Sequence, residues 1–114
     1  MGSGKPQVRY VMHADVVPAS TSETPQGSLP EVWTQPPFRL TKVGDILYGR
    51  GTEDDKGPIA AVLVVMDVLR RFGLAPEARI EAVMGTGEEH DWDGFVAYAK
   101  TATAAAHTIS LDAS

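Results

Sequence analysis

The sequence predicts an α/β fold: a mostly parallel sheet with flanking helices, an α/β/α sandwich. Two observations carry this expectation. Short β-prone runs alternate with two helical patterns in the order β, hairpin, α, β, α, β. The polar residues capable of chemistry, His13, Glu88, Glu89 and Asp112, fall just past strand ends, and Asp54 falls just before a helix. Open α/β sheets collect their ligand-binding groups at those places.

The first element is the β-prone run 7–13, which ends at His13. Residues 16–37, rich in Ser, Thr and Pro, predict a long irregular loop of the kind that is often functional. Trp33 and Phe38 are expected to pin its far end. Phe38 to Tyr48 reads as a hairpin turning around Gly44-Asp45. Pro58 to Phe72 is a helix: Pro58 suits a first turn, Arg70 and Arg71 complement the negative end of the dipole, and Gly73 suits the C′ position. Its middle, Ile59 to Met66, is apolar on nearly every face, so it needs cover on more than one side. Residues 78–84 predict a strand ending in Gly85-Thr86-Gly87. A second helix is expected from Asp91 to Ala102, with Asp91 as N-cap and Trp92, Phe95, Val96 and Ala99 on one face. Thr108 to Leu111 gives the last strand.

Composition narrows the function. The 114 residues fit one small domain, and 43% hydrophobic content is ordinary for a packed core. The formal charge is −5, without a basic stripe or aromatic-basic interleaving, so no nucleic-acid partner is expected. No apolar stretch approaches the ~20 residues that span a bilayer, and the opening residues lack the apolar centre of a secretory signal. No membrane association is expected, and a cytoplasmic location is the default. With no cysteine there is neither a disulfide framework nor a thiolate metal site. Gly2-Ser3-Gly4-Lys5 is no phosphate loop, since no strand precedes it and Pro6 stands where Ser or Thr is required.

The most informative stretch is Gly49-Arg50-Gly51-Thr52-Glu53-Asp54-Asp55-Lys56-Gly57. It delivers two adjacent carboxylates to the start of an apolar helix. Carboxylates so close repel each other, and a fold that concentrates them usually holds a cation there. With His13, Asp15, Glu88, Glu89 and Asp112 they supply imidazole and carboxylate donors, the ligand set of a hydrolytic metal centre. Singly, each residue has a plainer explanation. Asp54 and Asp55 suit helix capping, Glu88 and Glu89 suit first-turn charges, and a lone strand-end histidine is usually a solvated one. Trp33, Trp92 and Phe95 are more readily packing residues than substrate contacts. Five potential ligands at compatible sheet edges outweigh those separate explanations.

His13-Ala14-Asp15-Val16-Val17-Pro18, Trp33, Pro37-Phe38, Gly49 to Pro58 and Gly85-Thr86-Gly87-Glu88-Glu89 are similar, in order, to the successive motifs of the M20 metallopeptidases. The Asp-Asp-Lys-Gly-Pro and Gly-Thr-Gly-Glu-Glu forms most resemble its dipeptidase branch. The resemblance implies a two-metal site holding Zn²⁺, or alternatively Mn²⁺ or Co²⁺. In it His13 binds the first metal, oriented by Asp15, and Asp54 bridges both metals next to a cis Asp54–Asp55 peptide. Glu89 binds the second metal, Glu88 is the general base, and Asp112 is a further ligand of the first metal. The implied reaction is hydrolysis of a small peptide or an N-acyl amino acid by metal-activated water.

The resemblance also implies parts these residues do not supply: a distal histidine for the second metal and a lid domain. Residues 1–114 are therefore expected to be a truncated zinc-peptidase-like catalytic domain, without lid or distal C-terminal part. The competing expectation is a non-catalytic remnant that binds one metal weakly through His13, Asp54 and Asp112. A third is an assembly in which another chain supplies the missing groups. Self-association through exposed apolar surface is also expected.

Overall fold

The computed structural model describes residues 6–19 and 33–113. Most of the expected loop 16–37 lies outside the described residues. Three strands, β1 (Pro6–His13), β4 (Arg79–Gly85) and β5 (His107–Ser110), form a parallel sheet in the order β4-β1-β5. β2 (Thr41–Val43) and β3 (Ile46–Tyr48) form a separate antiparallel hairpin. The helices are α1 (Lys56–Arg71) and α2 (Asp93–Thr101). The α/β class and mostly parallel sheet match the expectation from sequence.

β1 is the central strand. It pairs with β4 from Val8↔Ile80 to His13↔Gly85, and with β5 from Val8↔His107 to Val11↔Ser110. The chain runs from β1 to β4 on one side and then crosses to β5 on the other, so the order reverses about β1. The carboxyl end of such a strand is where open sheets place ligands. His13 is the last residue of β1.

Side chains alternate across a strand. Tyr10 lines a groove with Val62, Val65, Met66 and Leu69 of α1, whereas Arg9 and Val11 line one with Phe95 and Tyr98 of α2. The helices therefore lie on opposite faces, which makes the three-layer arrangement. The core is small: among the described residues Met12, Ala19 and Val62 are the buried hydrophobics. Expected cover for α1 is found on one side only. Val62 faces the sheet, while Leu63, Val64, Val65 and Val68 are exposed.

Element ends follow local chemistry. α1 closes with the Leu74 N–H donating to the Leu69 carbonyl at 2.9 Å and the Gly73 N–H to the Arg70 carbonyl at 3.3 Å, the Schellman pattern. Arg70 and Arg71 both pair with Asp67. The hairpin's first strand is shorter than expected because Pro36 accepts the Arg39 N–H in a turn that keeps residues 38–40 out of the ladder. Trp33 does anchor its segment, lying under the Arg50 guanidinium at 4.8 Å, whereas Phe38 is 70% exposed.

α2 begins later than expected. Trp92, not Asp91, takes the N-cap position, with a left-handed backbone (φ 61°). Asp91 still serves the helix start, its carboxylate accepting the Asp93 N–H at 3.0 Å. The covered face also differs: Trp92 and Val96 are exposed, whereas Phe95 and Tyr98 are half-buried. Tyr98 turns inward because its hydroxyl donates to Glu81, which in turn holds Arg9 at 2.6 Å. Among the described residues no helix is long and apolar enough to cross a membrane.

Candidate metal centre

β1 ends with a buried imidazole: His13 is 2% exposed. The loop after it turns back so that Nδ1 lies 3.1 Å from the Asp15 backbone carbonyl, with the Asp15 carboxylate at 3.5 Å. A carbonyl can only accept, so Nδ1 carries the proton and Nε2 is left to face outward. Nε2 lies 2.8 Å from Asp54 Oδ1 and 3.7 Å from Asp112 Oδ1. A neutral imidazole so held directs its lone pair at carboxylate oxygens. Only a proton or a metal cation between them makes that arrangement favourable.

The Asp15 carboxylate has a second task. It accepts the backbone N–H groups of Glu88 at 3.3 Å and Glu89 at 3.1 Å, tying the loop after β1 to the loop after β4. Burial pushes the Asp15 pKa up, but those N–H bonds, its own N–H and the nearby His13 outweigh it, and the group stays below its ordinary range. It is thus held ionised where it locates both glutamates.

Asp54 and Asp55 enter from the loop before α1, joined by a cis peptide as the resemblance implied. Neither caps the helix with its side chain: α1 has no side-chain cap bond. The turn that brings them in depends on Gly51, at φ 78°, where an added Cβ would collide with Val16 and come within 2.7 Å of Lys56 Nζ. On the other side, Gly85 lets the Phe95 ring lie directly against the end of β4, where any Cβ would overlap that ring.

Two groups of donor atoms result, each drawn together within 4.8 Å: His13 with Asp54 and Asp112, and His13 with Glu88 and Glu89. The first holds the residues expected for the first metal. Glu89 groups with His13 and Glu88 rather than with Asp54. All the imidazole and carboxylate donors singled out in the sequence thus stand around one strand end. An imidazole and hard carboxylates, with no thiolate, fit Zn²⁺ and also Mn²⁺ or Co²⁺. His90 and His107 are exposed and join neither group.

The electrostatics agree with crowded charge. Burial lowers the His13 pKa, but the Asp15 carbonyl, the Asp54 contact and the Asp55 charge hold it above its ordinary value. Burial raises Glu88, and the charges of Asp112, Glu89 and Asp15 add to that against the opposing pull of His13. A cavity of about 270 Å³ opens beside these groups, lined by His13, Glu88, Trp92, Phe95, Ser110 and Asp112. The sequence did not single out two features: the task of Asp55, and the Arg9–Glu81–Tyr98 network. Only the adjacency to Asp54 marked the former, and nothing local marked the latter.

Comparison with known proteins points the same way. The chain is 38% identical over 101 residues to the Beta-Ala-Xaa dipeptidase of Lactobacillus delbrueckii subsp. lactis, covering 87% of this chain and 19% of that protein. It is 36% identical over 94 residues to the "Probable succinyl-diaminopimelate desuccinylase" of Staphylococcus aureus (strain MRSA252), covering 82% of this chain and 21% of that protein. The chain therefore spans about a fifth of the length of the curated relatives it matches. The sequence profile of Peptidase family M20/M25/M40 matches residues 10–113, a span that contains every donor described above. On that match and on the order of its motifs, the chain belongs to the M20/M25/M40 peptidase family.

Proposed function

We propose that these residues form part of the catalytic domain of a zinc-dependent hydrolase of peptide or N-acyl amide bonds. The observation that carries this reading is the His13 Nε2 atom aimed at Asp54 and Asp112. In the proposed site His13, Asp54, Glu89 and Asp112 hold the metal ions. Zinc held there would supply acidification of a bound water and polarisation of a carbonyl. Asp15 fixes the Nδ1–H tautomer of His13 and places Glu88 and Glu89. Glu88, with its raised pKa, accepts the proton of the attacking water and returns it to the leaving amine. The cavity beside Glu88 receives the substrate.

Substrate class rests on the relatives. One is named for β-alanyl dipeptides and the other for an N-succinyl amino acid. A small peptide or N-acyl amino acid is common to both. A lid domain and a further histidine ligand complete the site from outside residues 1–114.

A second reading is a module that holds one metal without catalysis. It is favoured by the sharing of His13 between both donor groups and by the roughly half-exposed side chains of Asp54 and Asp112. Zinc titration of the chain separates the readings. Two tightly held ions support a complete two-metal site, assembled with other chains if need be. One weakly held ion supports the module, and no binding refutes the metal centre. In the complete enzyme, Glu88→Gln is expected to lower kcat by about 10²–10⁴-fold while zinc uptake persists. Loss of zinc with unchanged turnover per bound metal would contradict that role.

A further inference from the structure

The charge pair before α1 has one member with no part in the scheme above. Asp55 is fully buried, at 0% exposure. Its Oδ2 accepts the backbone N–H of His13 at 3.0 Å, and its Oδ1 has no hydrogen-bond partner among the described residues. A buried carboxylate in that condition is costly, so its place calls for a reason.

The reason lies in the sheet. Along a parallel strand, successive N–H groups point alternately to the two neighbours. The Ala14 N–H donates to the Gly85 carbonyl on the β4 side, and the Leu111 N–H reaches the Val11 carbonyl from the β5 side. The His13 N–H therefore points toward β5. Pairing with β5 ends at Val11↔Ser110, so among the described residues no strand is left there to accept it. The Asp55 carboxylate takes the place of the absent strand.

Nor is Asp55 better explained as a helix cap. It stands at the N-cap position of α1 but makes no side-chain cap bond. The third helical residue, Pro58, has no N–H for a cap to satisfy.

We infer that Asp55 is a positioning residue of the metal centre: its carboxylate fixes the His13 backbone at the end of β1 while its neighbour Asp54 meets the same residue's ring. The two adjacent carboxylates thus grip one histidine at two points, and the imidazole is aimed before any metal arrives. The part of this that concerns zinc affinity rests on the metal-centre reading; the hydrogen bond itself does not.

The test uses isotope-labelled parent chain and two variants, with zinc as the probe. In the parent, a scalar coupling across the hydrogen bond from His13 ¹⁵N to Asp55 ¹³Cγ is expected, with slow exchange of the His13 amide. Its absence, with fast exchange, overturns the assignment without any substitution. Asp55→Ala is expected to expose the His13 amide to exchange and weaken zinc binding about 10–100-fold, as loss of a ligand-orienting partner typically does. Asp55→Asn keeps an acceptor oxygen and should restore both. An Asp55→Ala chain that folds with His13 protection and zinc affinity unchanged overturns the role. A parent that takes up no zinc refutes the metal reading alone, and the coupling and exchange still decide for or against Asp55.

Discussion

His13 is engaged at all three of its nitrogens: the backbone N–H by Asp55, Nδ1 by the Asp15 carbonyl and Nε2 by Asp54. Its protonated form is favoured over the ordinary value of 6.5 despite burial. In the metal-free chain the sign follows directly. Stability from this raised pKa is fully present below 6.5 and is lost as pH rises through the higher folded value. In the proposed centre proton and zinc compete for Nε2, so zinc affinity should fall as pH is lowered, with proton release on binding near neutrality. Titration calorimetry in buffers of different ionisation enthalpy measures that release, and His13→Gln should remove most of it. At this scale the placement of the residues was legible: the M20-like motifs and the strand-end positions marked His13, Asp54, Glu88, Glu89 and Asp112 as candidates, and the fold brings them together at the end of β1. Asp55 could not be given its task, because that depends on which strand stops short of His13, a matter of three-dimensional register.

Among the elements, strands and helices were legible from periodicity and their ends were less so. The start of α2 shows why. Asp91 has the chemistry of an N-cap, yet the turn built on the Gly87 carbonyl, which accepts the N–H groups of His90, Asp91 and Trp92, carries the helix start one residue past it to Trp92. The inward face of α2 was misjudged for a related reason. Tyr98 is drawn in by a polar network between β1, β4 and α2 that hydrophobic spacing does not register. In that network Arg9 is 8% exposed, donates to Glu81 and to the Thr103 carbonyl, and lies 5.3 Å from the Tyr98 ring. The Arg9 hydrogen bond, against the opposing effect of burial, holds Glu81 below its ordinary carboxylate range. A depressed carboxylate contributes stability above its unfolded value of 4.5, and that stability is lost as pH falls through the lower folded value. Glu81→Gln should therefore cost about 1–3 kcal/mol at neutral pH and show a smaller loss on acidification than the parent. Urea midpoints on either side of pH 4.5 measure both effects. Equal acid sensitivity of parent and variant would rule the network out as a stabilising element.

For the molecule as a whole, the apolar surface of α1 is the dominant feature. Leu63, Val64 and Val65 are 48%, 62% and 57% exposed, and Phe72 is 75% exposed. The radius of gyration is 17.3 Å, against about 13 Å for a compact domain of about 100 residues. This exposed apolar face is where we propose that the chain self-associates. Val64→Lys should shift the sedimentation distribution of the chain toward smaller species without loss of helical signal, since lysine is a good helix former. An unchanged distribution would show that this face is not what associates. The all-round apolarity of α1 was legible in the sequence. Which face meets the sheet was not, because nearly every position in its middle has the hydrophobicity of a core residue.

All three scales meet at the end of β1, where one imidazole is aimed at carboxylates from two other segments. X-ray absorption at the zinc edge of the zinc-loaded chain examines that point most directly. The proposed centre predicts an imidazole nitrogen at about 2.0–2.1 Å and carboxylate oxygens at about 2.0–2.2 Å, with no sulfur scatterer. It further predicts that the imidazole contribution disappears in His13→Ala. Imidazole scattering that survives that substitution, or a parent chain whose zinc is held by water alone, would contradict a metal centre built on His13.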